Sequence, residues 1–179
     1  MSTIIRKLDA GEARRRISEL SDILLDCVAG GASVSFMAGM TRDESDAFWS
    51  GVIDDVAQGG RDLIVAETNG RLDGAVQSVF IDKPNQPHRA EVAKMLVHRR
   101  ARGGGVGLSL LKAAEDAALA KGRWLMVLDT VSRSAGDRLY RRGGWTEAGE
   151  VPNYALMPDG ALCPTTFFYK DLRPKGHVA

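Results

Sequence analysis

Residues 91–111 read EVAKMLVHRRARGGGVGLSLL and contain a predicted strand, loop and helix in direct succession. Residues 91–97 are mostly apolar and are typical of a strand. A basic turn, residues 98–102, and a glycine-rich loop, residues 103–107, follow them. Apolar residues then recur at the spacing of one helix face, at Leu110, Leu111, Ala114 and Ala118. This succession predicts a loop that joins a strand to the N-terminus of a helix.

The glycine-rich loop is suited to bind an anion. Four of its five residues are glycines, which leave backbone N–H groups without a Cβ in front of them. The helix that follows carries a partial positive charge at its N-terminus, and this charge attracts anions. Several arginines surround or follow the loop, at positions 89, 99, 100, 102 and 123. The sequence therefore predicts a cradle for a polyanionic ligand, most simply a pyrophosphate.

The spacing of the glycines excludes two common nucleotide-binding loops. A dinucleotide-binding loop has glycines at its first, third and sixth positions. Counted from Gly103 the sixth residue is Leu108, and counted from Gly105 it is Leu110. A P-loop ends in lysine followed by serine or threonine, and no lysine follows these glycines. Nucleotide hydrolysis is therefore not expected.

Residues 102–107, Arg-Gly-Gly-Gly-Val-Gly, resemble the Arg/Gln-x-x-Gly-x-Gly/Ala signature of the GNAT N-acetyltransferases. Residues 139–145, LYRRGGW, are similar to the family's Leu-Tyr-x-x-x-Gly-Phe motif. Glu91 precedes Gly107 by sixteen residues, a spacing similar to that of the catalytic glutamate in the histone-acetylating branch. Further short segments along the chain resemble the tabtoxin-resistance acetyltransferases.

This resemblance implies that acetyl-CoA is the co-substrate and that the loop holds its pyrophosphate. Pantetheine is expected to pair with free backbone groups of the preceding strand, as an added strand would. The family often has asparagine at the position of Arg133, so this contact is a departure from the family pattern. The residues expected to bind the cofactor are Leu96, Val97, Arg102, Gly103, Gly104, Gly105, Val106, Gly107, Leu108 and Arg133.

Acetyl transfer to an amine requires a base, donors for the oxyanion and an acid for the leaving thiolate. An amine with a pKa of about 10.4 is only roughly one part in a thousand neutral near pH 7. Glu91 is the first candidate for the base, and the alternative is a solvated strand-end carboxylate that pairs with Arg89 or Lys94. Asp129 is the second candidate, with a capping role as the alternative. The resemblance implies that a backbone N–H near Leu96 or Val97 holds the acetyl oxygen.

Tyr140 is the candidate general acid. A phenol is protonated at neutral pH and is close in acidity to an alkyl thiol, so proton transfer to the departing sulfur is expected to be nearly balanced. The alternative is a tyrosine that only packs in the core beside Leu139.

The rest of the chain predicts further strands and helices. Thr41 and Glu44 form a capping-box pattern before a helix, and Asn69-Gly70 is a strong hairpin signal. Strands are expected at residues 3–8, 62–68, 72–82, 124–128, 145–150 and 166–170. Further helices are expected at residues 12–28 and 133–142. This order predicts an α/β fold. The resemblance implies a GNAT-like mixed, mostly antiparallel twisted sheet flanked by helices, with splayed central parallel strands.

The chain has 179 residues, which suits one domain, 1–179, with a mobile tail from about Arg173. Its formal net charge of +1 excludes a strong bulk attraction to nucleic acid or to a membrane. Cys27 and Cys163 lack metal-ligand spacing and are expected to be buried thiols. No apolar run reaches the roughly 20 residues of a membrane span. We therefore expect a cytoplasmic protein without a metal.

The resemblance implies a small amine acceptor, such as an amino-acid-like or β-lactam toxin. Phe36, Phe48 and Trp49 are candidates for an acceptor wall, with core packing as the alternative. Two other functions stay open at this point. One is acetylation of a protein N-terminus or lysine, and the other is a catalytically silent module that binds acetyl-CoA. The oligomeric state also stays open, although related folds commonly form homodimers through their late strands.

Overall fold

The computed structural model describes residues 3–174, which form a seven-stranded sheet with helices on both faces. The strands are β1 (Thr3–Leu8), β2 (Arg61–Thr68), β3 (Arg71–Phe80), β4 (Arg89–Val97), β5 (Leu125–Val131), β6 (Thr146–Leu156) and β7 (Leu162–Asp171). The helices are α1 (Ala10–Arg15), α2 (Ile17–Ala29), α3 (Arg42–Ala57), α4 (Val106–Ala120) and α5 (Ala135–Arg142). A short 3-10 turn, Arg99–Ala101, follows β4.

The order of the strands in the sheet is β1-β2-β3-β4-β5-β7-β6. All neighbouring strands are antiparallel except β4 and β5, which are parallel. Helix α4 connects these two strands, because parallel neighbours need a crossover connection. The predicted mixed, mostly antiparallel sheet with a central parallel pair is confirmed.

Two hydrophobic cores lie on opposite faces of the sheet. One core packs α1, α2 and α3 against the sheet and includes the fully buried Trp49 and Ile53. The other packs α4 and α5 against it and includes Leu110 and Phe168. Full burial of one such side chain contributes about 1.5–3 kcal/mol, so both layers hold the sheet firmly. The central strands are therefore covered on both sides.

Strands β4 and β5 pair over a short distance and then separate. Their parallel register begins with Arg89 opposite Leu125 and ends with Glu91 opposite Val127. Both strands continue beyond that point, to Val97 and Val131, without further pairing between them. The predicted splay is therefore present, and it leaves an opening in the middle of the sheet.

A β-bulge at Lys94 changes which side chains of β4 point toward each of the two cores. Between two pairs with β3, β4 carries one residue more than its neighbour, and Lys94 has φ +48°. Val92 packs in the core beside α4, whereas Leu96 packs in the core beside α2. Two residues four apart in a regular strand would share one face, so the bulge reverses the alternation.

Several local predictions are confirmed. Thr41 and Glu44 form the expected capping box at the start of α3. Asn69 and Gly70, with φ of +52° and +79°, form the two-residue turn between β2 and β3. Positive φ at both turn residues matches the right-handed twist of the flanking strands.

The helix predicted at residues 12–28 is wrong as a single element, because it is broken at Arg16 into α1 and α2. The guanidinium of Arg16 contacts Glu19 at 2.7 Å and Glu67 of β2 at 3.1 Å. It also donates to the carbonyl oxygen of Gly70 at 2.7 Å. The break thus places Arg16 over the β2–β3 hairpin, a contact that periodicity along the helix does not reveal.

Arg173, the first residue of the predicted mobile tail, makes two contacts in the structure. The guanidinium of Arg173 lies 3.7 Å from the centre of the Trp124 ring, and it also pairs with Asp171 at 2.6 Å. A cation over an aromatic face and an ion pair together fix this side chain. The remainder of the predicted tail, residues 175–179, lies outside the described residues.

Candidate active site

The opening between β4 and β5 exposes one backbone edge of β4. Beyond Glu91, the edge of β4 that faces β5 has no strand partner, while the other edge pairs with β3 through Leu96 and Val97. An extended ligand can therefore add to β4 as a strand would. The carbonyl oxygen of Val97 accepts a hydrogen bond from Nε of Arg102 at 2.9 Å, which ties the strand end to the glycine loop.

The glycine loop presents bare backbone N–H groups at the start of α4. Gly103 and Gly105 have φ of +82° and +81°, a region that side chains rarely adopt. Gly105 is the N-cap of α4, and no side chain caps this helix end. The first N–H groups of the helix, at Val106, Gly107 and Leu108, have no partner within the helix. They can bind the oxygens of an anion.

Helix α4 begins earlier than the sequence suggested. Gly107, expected in the loop, lies within the first helical turn. A Cβ on Gly107 would stand 3.3 Å from the side chain of Leu139. Glycine at this position therefore allows α5, which carries Leu139, to pack closely against α4.

Two of the five arginines that surround or follow the loop in the sequence lie far from it in the structure. Arg89 begins β4 at the opposite end of the strand. Arg123 follows the C-terminus of α4, roughly 22 Å from the loop at 1.5 Å per residue. Arg99 pairs with Asp26, and Arg100 pairs with Asp73 at 2.6 Å. Arg102 has no carboxylate closer than 4.0 Å among the described residues, so it is the arginine best placed for an anion in the loop.

Arg133 lies at the start of α5 but contacts β6. It has φ +61°, and its guanidinium lies 3.4 Å from the carboxylate of Glu150. Its backbone N–H donates to Asp137 at 3.0 Å. The side chain is 79% exposed, so it is free to move toward a ligand, but its partner here is Glu150 and not the glycine loop.

The two candidate bases flank the opening, and they differ in whether an arginine pairs with the carboxylate. Glu91 is ion-paired with Arg89 at 2.8 Å. Asp129 pairs with Phe167 of β7 but lies beyond Val127, the last residue of β5 that pairs with β4. No ion pair within 4.0 Å engages its carboxylate in residues 3–174. Loss of solvent around the carboxylate raises the pKa of Asp129. The charge of Lys94 opposes this rise in pKa, and the charge of Glu91 adds to it.

Tyr140 is buried on α5, with 5% of its surface exposed. Its ring packs against Trp145 and Phe168, with centroids 6.0 and 6.1 Å apart. Burial raises the pKa of its phenol, and the negative charge of Asp129 raises this pKa further. The phenol is therefore protonated at neutral pH. It is also a weaker acid than the nearly balanced donor that the sequence suggested.

Lys94 is a residue of this site that sequence reasoning missed. Its ammonium donates to Oγ of Ser35 at 2.9 Å and lies over the rings of Phe36 and Phe48 at 5.7 and 5.8 Å. Burial lowers the pKa of Lys94, while the charge of Asp129 opposes this shift. A lone lysine within the apolar run EVAKMLV was the available signal, because it interrupts the alternation of a regular strand.

Of the three aromatic residues expected in an acceptor wall, Trp49 is fully buried and belongs to the core. Phe36 and Phe48 are partly buried and pack edge to face, 5.2 Å apart. The segment that carries Phe36 also reaches the β6–β7 hairpin, where N–H of Ala38 donates to the carbonyl oxygen of Pro158 at 2.9 Å. This segment therefore covers the side of the sheet that holds Lys94.

Cys27 and Cys163 are buried free thiols, as predicted. Over residues 3–174, no group of three or more His, Cys, Asp or Glu side chains is arranged to hold a metal ion. No helix in that part of the chain is long and apolar enough to cross a membrane.

The sequence profile of the acetyltransferase (GNAT) family matches residues 30–145. An IAA acetyltransferase from Azospirillum brasilense is 38% identical over 97 residues. This match covers 54% of the present chain and 61% of that protein, which is less than two thirds of its length.

Solved structures share the fold across nearly the whole chain. A Salmonella typhimurium protein assigned as an acetyltransferase, with its cofactor acetyl-CoA, has a TM-score of 0.80 at 22% identity, covering 100% of this chain and 98% of that one. A protein assigned as a phosphinothricin N-acetyltransferase has a TM-score of 0.78 at 22% identity, covering 97% of this chain and 100% of that one. At this level of identity the likeness establishes the fold.

Proposed function

Because this chain belongs to the acetyltransferase (GNAT) family, we propose that it transfers the acetyl group of acetyl-CoA to the amine of a small molecule. The observation that carries the proposal is the opening after Glu91 and Val127, which leads from the glycine loop toward Asp129 and Tyr140. The bound acetyl-CoA of the Salmonella typhimurium structure supports the choice of cofactor.

The residues of the opening fit acetyl-CoA. The uncapped start of α4 offers N–H groups of Val106, Gly107 and Leu108 to a pyrophosphate. Arg102, which directly precedes the glycine loop and donates to Val97 at the end of β4, supplies a positive charge to the same region. The unpaired edge of β4 offers backbone groups to the amides of pantetheine. When bound, the thioester supplies an activated acetyl group.

Asp129 is the proposed base, with Glu91 as the second candidate. A base must be free to accept a proton from the acceptor ammonium, directly or through water. Asp129 has no ion-pair partner within 4.0 Å in the described chain and has a raised pKa, whereas Glu91 is held by Arg89. The raised pKa of Asp129 makes it a better proton acceptor than an ordinary aspartate.

Tyr140 is the proposed acid that returns a proton to the departing sulfur. Its raised pKa keeps the phenol protonated at neutral pH, so that the proton is present when the thiolate leaves in the same buried surroundings. The packing of its ring against Trp145 and Phe168 fixes the direction of the hydroxyl group. Backbone N–H groups of β4 near Leu96 and Val97 are the proposed donors to the acetyl oxygen.

The proposed acceptor is a small, amino-acid-like amine. An amino-acid-like or β-lactam toxin would be an acceptor of this kind. The likeness to a protein assigned as a phosphinothricin N-acetyltransferase supports this class of acceptor. Residues 1–179 are proposed to act as one domain in the cytoplasm. Exposed Leu156 and Leu162 on β6 and β7, at one edge of the sheet, support a homodimer through these strands.

The test is release of the coenzyme thiol from acetyl-CoA across a panel of amines, with mass analysis of each product. The proposal expects thiol release that depends on the amine, together with an N-acetylated product. Thermal stabilisation by acetyl-CoA without amine-dependent release would support the silent module instead. Transfer to peptides but not to small amines would support a protein acceptor.

A further inference from the structure

Lys94 has an unusual backbone conformation in the wall of the opening. It is the bulged residue of β4 and has φ +48°, which is uncommon for a residue with a side chain. Such a conformation costs free energy and persists only where surrounding contacts impose it. The bulge turns the Lys94 side chain toward Ser35, Phe36 and Phe48, on the face that carries α1, α2 and α3.

The direct contacts of the Lys94 ammonium are with neutral groups. It donates a hydrogen bond to Oγ of Ser35 at 2.9 Å, and two aromatic rings face the same group. No carboxylate of residues 3–174 lies within 4.0 Å of it. A half-buried cation is normally paired, because removal from water is costly without an opposite charge. An anionic group from outside the chain would complete this site.

The other cation near Lys94 already has partners. Arg61 of β2 influences the Lys94 ammonium electrostatically. Its guanidinium pairs with Asp55 and also donates to Gln77 at 2.6 Å. The charge of Arg61 is therefore balanced by Asp55, whereas no carboxylate of residues 3–174 forms an ion pair with Lys94.

Opposite charges face each other across the opening without forming an ion pair. Asp129 and Lys94 influence each other electrostatically, yet they are separated by more than 4.0 Å. A ligand with an ammonium and a nearby carboxylate can fit between such groups. Its ammonium would face Asp129, and its carboxylate would face Lys94.

We propose that Lys94 binds the carboxylate of the acceptor, so that the substrates of this protein are amino acids or amines with an equivalent anionic group. This inference rests on the proposed acetyl transfer to a small amine. It adds a requirement that the family fold does not impose. The acceptor must carry its anion close to the amine that is acetylated.

The experiment compares the twenty proteinogenic amino acids with the corresponding amino-acid amides as acceptors, for the wild type and for Lys94→Met. Methionine keeps a long apolar side chain against Phe36 and Phe48 but removes the charge. The readout is the ratio of kcat/KM for each acid to kcat/KM for its amide. Lys94→Arg tests whether a positive charge restores the ratio.

We expect the wild type to prefer the acid and Lys94→Met to reduce that preference about ten- to a hundredfold. Lys7→Met is the matched control, because Lys7 lies on the edge strand β1 and pairs with Asp62 at 3.2 Å. This control should keep the wild-type preference. Equal use of acids and amides by the wild type, or an unchanged preference in Lys94→Met, would overturn the inference.

A second readout separates this inference from the proposed transfer. With lysine labelled at Cε, NMR should show the Lys94 signal shift when an amino acid is added and not when its amide is added. If no amine is acetylated but this shift occurs, the proposed transfer is wrong and the anion site stands. If amines are acetylated without any such shift, the anion site is wrong and the transfer stands.

Discussion

Glu91 and Val127 form the last parallel pair between β4 and β5, and the sheet opens directly after them. This relationship places the unpaired edge of β4, the start of α4 and the carboxylate of Asp129 around one opening. A regular sheet would have sealed these backbone groups in hydrogen bonds. The divergence of two strands is thus the feature on which the proposed chemistry depends.

Gly105→Ala should weaken coenzyme binding. The new side chain would strain a residue with φ +81°, at a cost of about 1–2 kcal/mol, and relief of that strain would shift the first N–H groups of α4. We expect the dissociation constant of acetyl-CoA to rise at least about tenfold in calorimetric titrations. Gly122→Ala is the matched control, because Gly122 has φ +71° at the opposite end of α4. If both variants bind the coenzyme equally, the pyrophosphate does not bind at the glycine loop.

Asp129→Asn should remove the acid limb of the pH profile of kcat/KM. A base is active only when deprotonated, so activity rises as the pH increases through its pKa. Because the pKa of Asp129 is raised, the limb in the wild type should lie above the pKa of an ordinary aspartate. We expect the variant to lose about 100-fold or more in kcat/KM at neutral pH.

The pH profile of kcat/KM should also be measured for Glu91→Gln. The negative charge of Glu91 raises the pKa of Asp129, so its removal should move the acid limb to lower pH without abolishing it. Loss of the limb in Glu91→Gln, with the limb retained in Asp129→Asn, would assign the base to Glu91.

Tyr140→Phe should lower kcat about 100-fold, because the departing thiolate loses its proton donor. The phenyl ring retains the contacts with Trp145 and Phe168, so coenzyme affinity and thermal stability should change little. Tyr154→Phe removes a hydroxyl from an exposed residue of β6 and should not lower kcat. Rapid-mixing kinetics with saturating acetyl-CoA would measure both variants. Wild-type turnover in Tyr140→Phe would remove this residue as the acid.

Titration of the Lys94 ammonium should make the free energy of unfolding vary with pH in the alkaline range. Burial lowers the pKa of Lys94 in the folded protein below 10.5, its value in the unfolded chain. Between these two pKa values the unfolded chain binds more protons, so the free energy of unfolding gains a contribution that increases with pH. Relative to Lys94→Met, the wild type should therefore gain stability across this range. Urea titrations at several pH values would measure the free energies of unfolding of both proteins. A difference between wild type and Lys94→Met that stays constant with pH would contradict the expectation.

Local signals predicted much of the fold. The capping box of Thr41 and Glu44 and the turn at Asn69-Gly70 depend on neighbouring residues, and the structure contains both. The break at Arg16 depends on Glu67 of β2, which is distant in sequence. Contacts of this kind decide local geometry but leave no trace in helical periodicity.

The candidate site was also predictable only where its residues depend on local sequence. Gly103 and Gly105 were identified from their own sequence, because glycines between a strand and a helix leave backbone N–H groups without a Cβ in front of them. Lys94 was missed, because its role follows from the bulge and from its distance to Phe36 and Phe48. The proposed preference for Asp129 over Glu91 likewise depends on which carboxylate finds an arginine, and the fold determines that.

A crystal structure of the protein with acetyl-CoA would test the central claim most directly. We predict that the pyrophosphate contacts the N–H groups of Val106, Gly107 and Leu108 and that pantetheine runs along β4 through the opening. The sulfur should then lie within hydrogen-bonding reach of the hydroxyl group of Tyr140. A coenzyme bound outside the opening between β4 and β5, or a sulfur remote from Tyr140, would contradict the proposed mechanism.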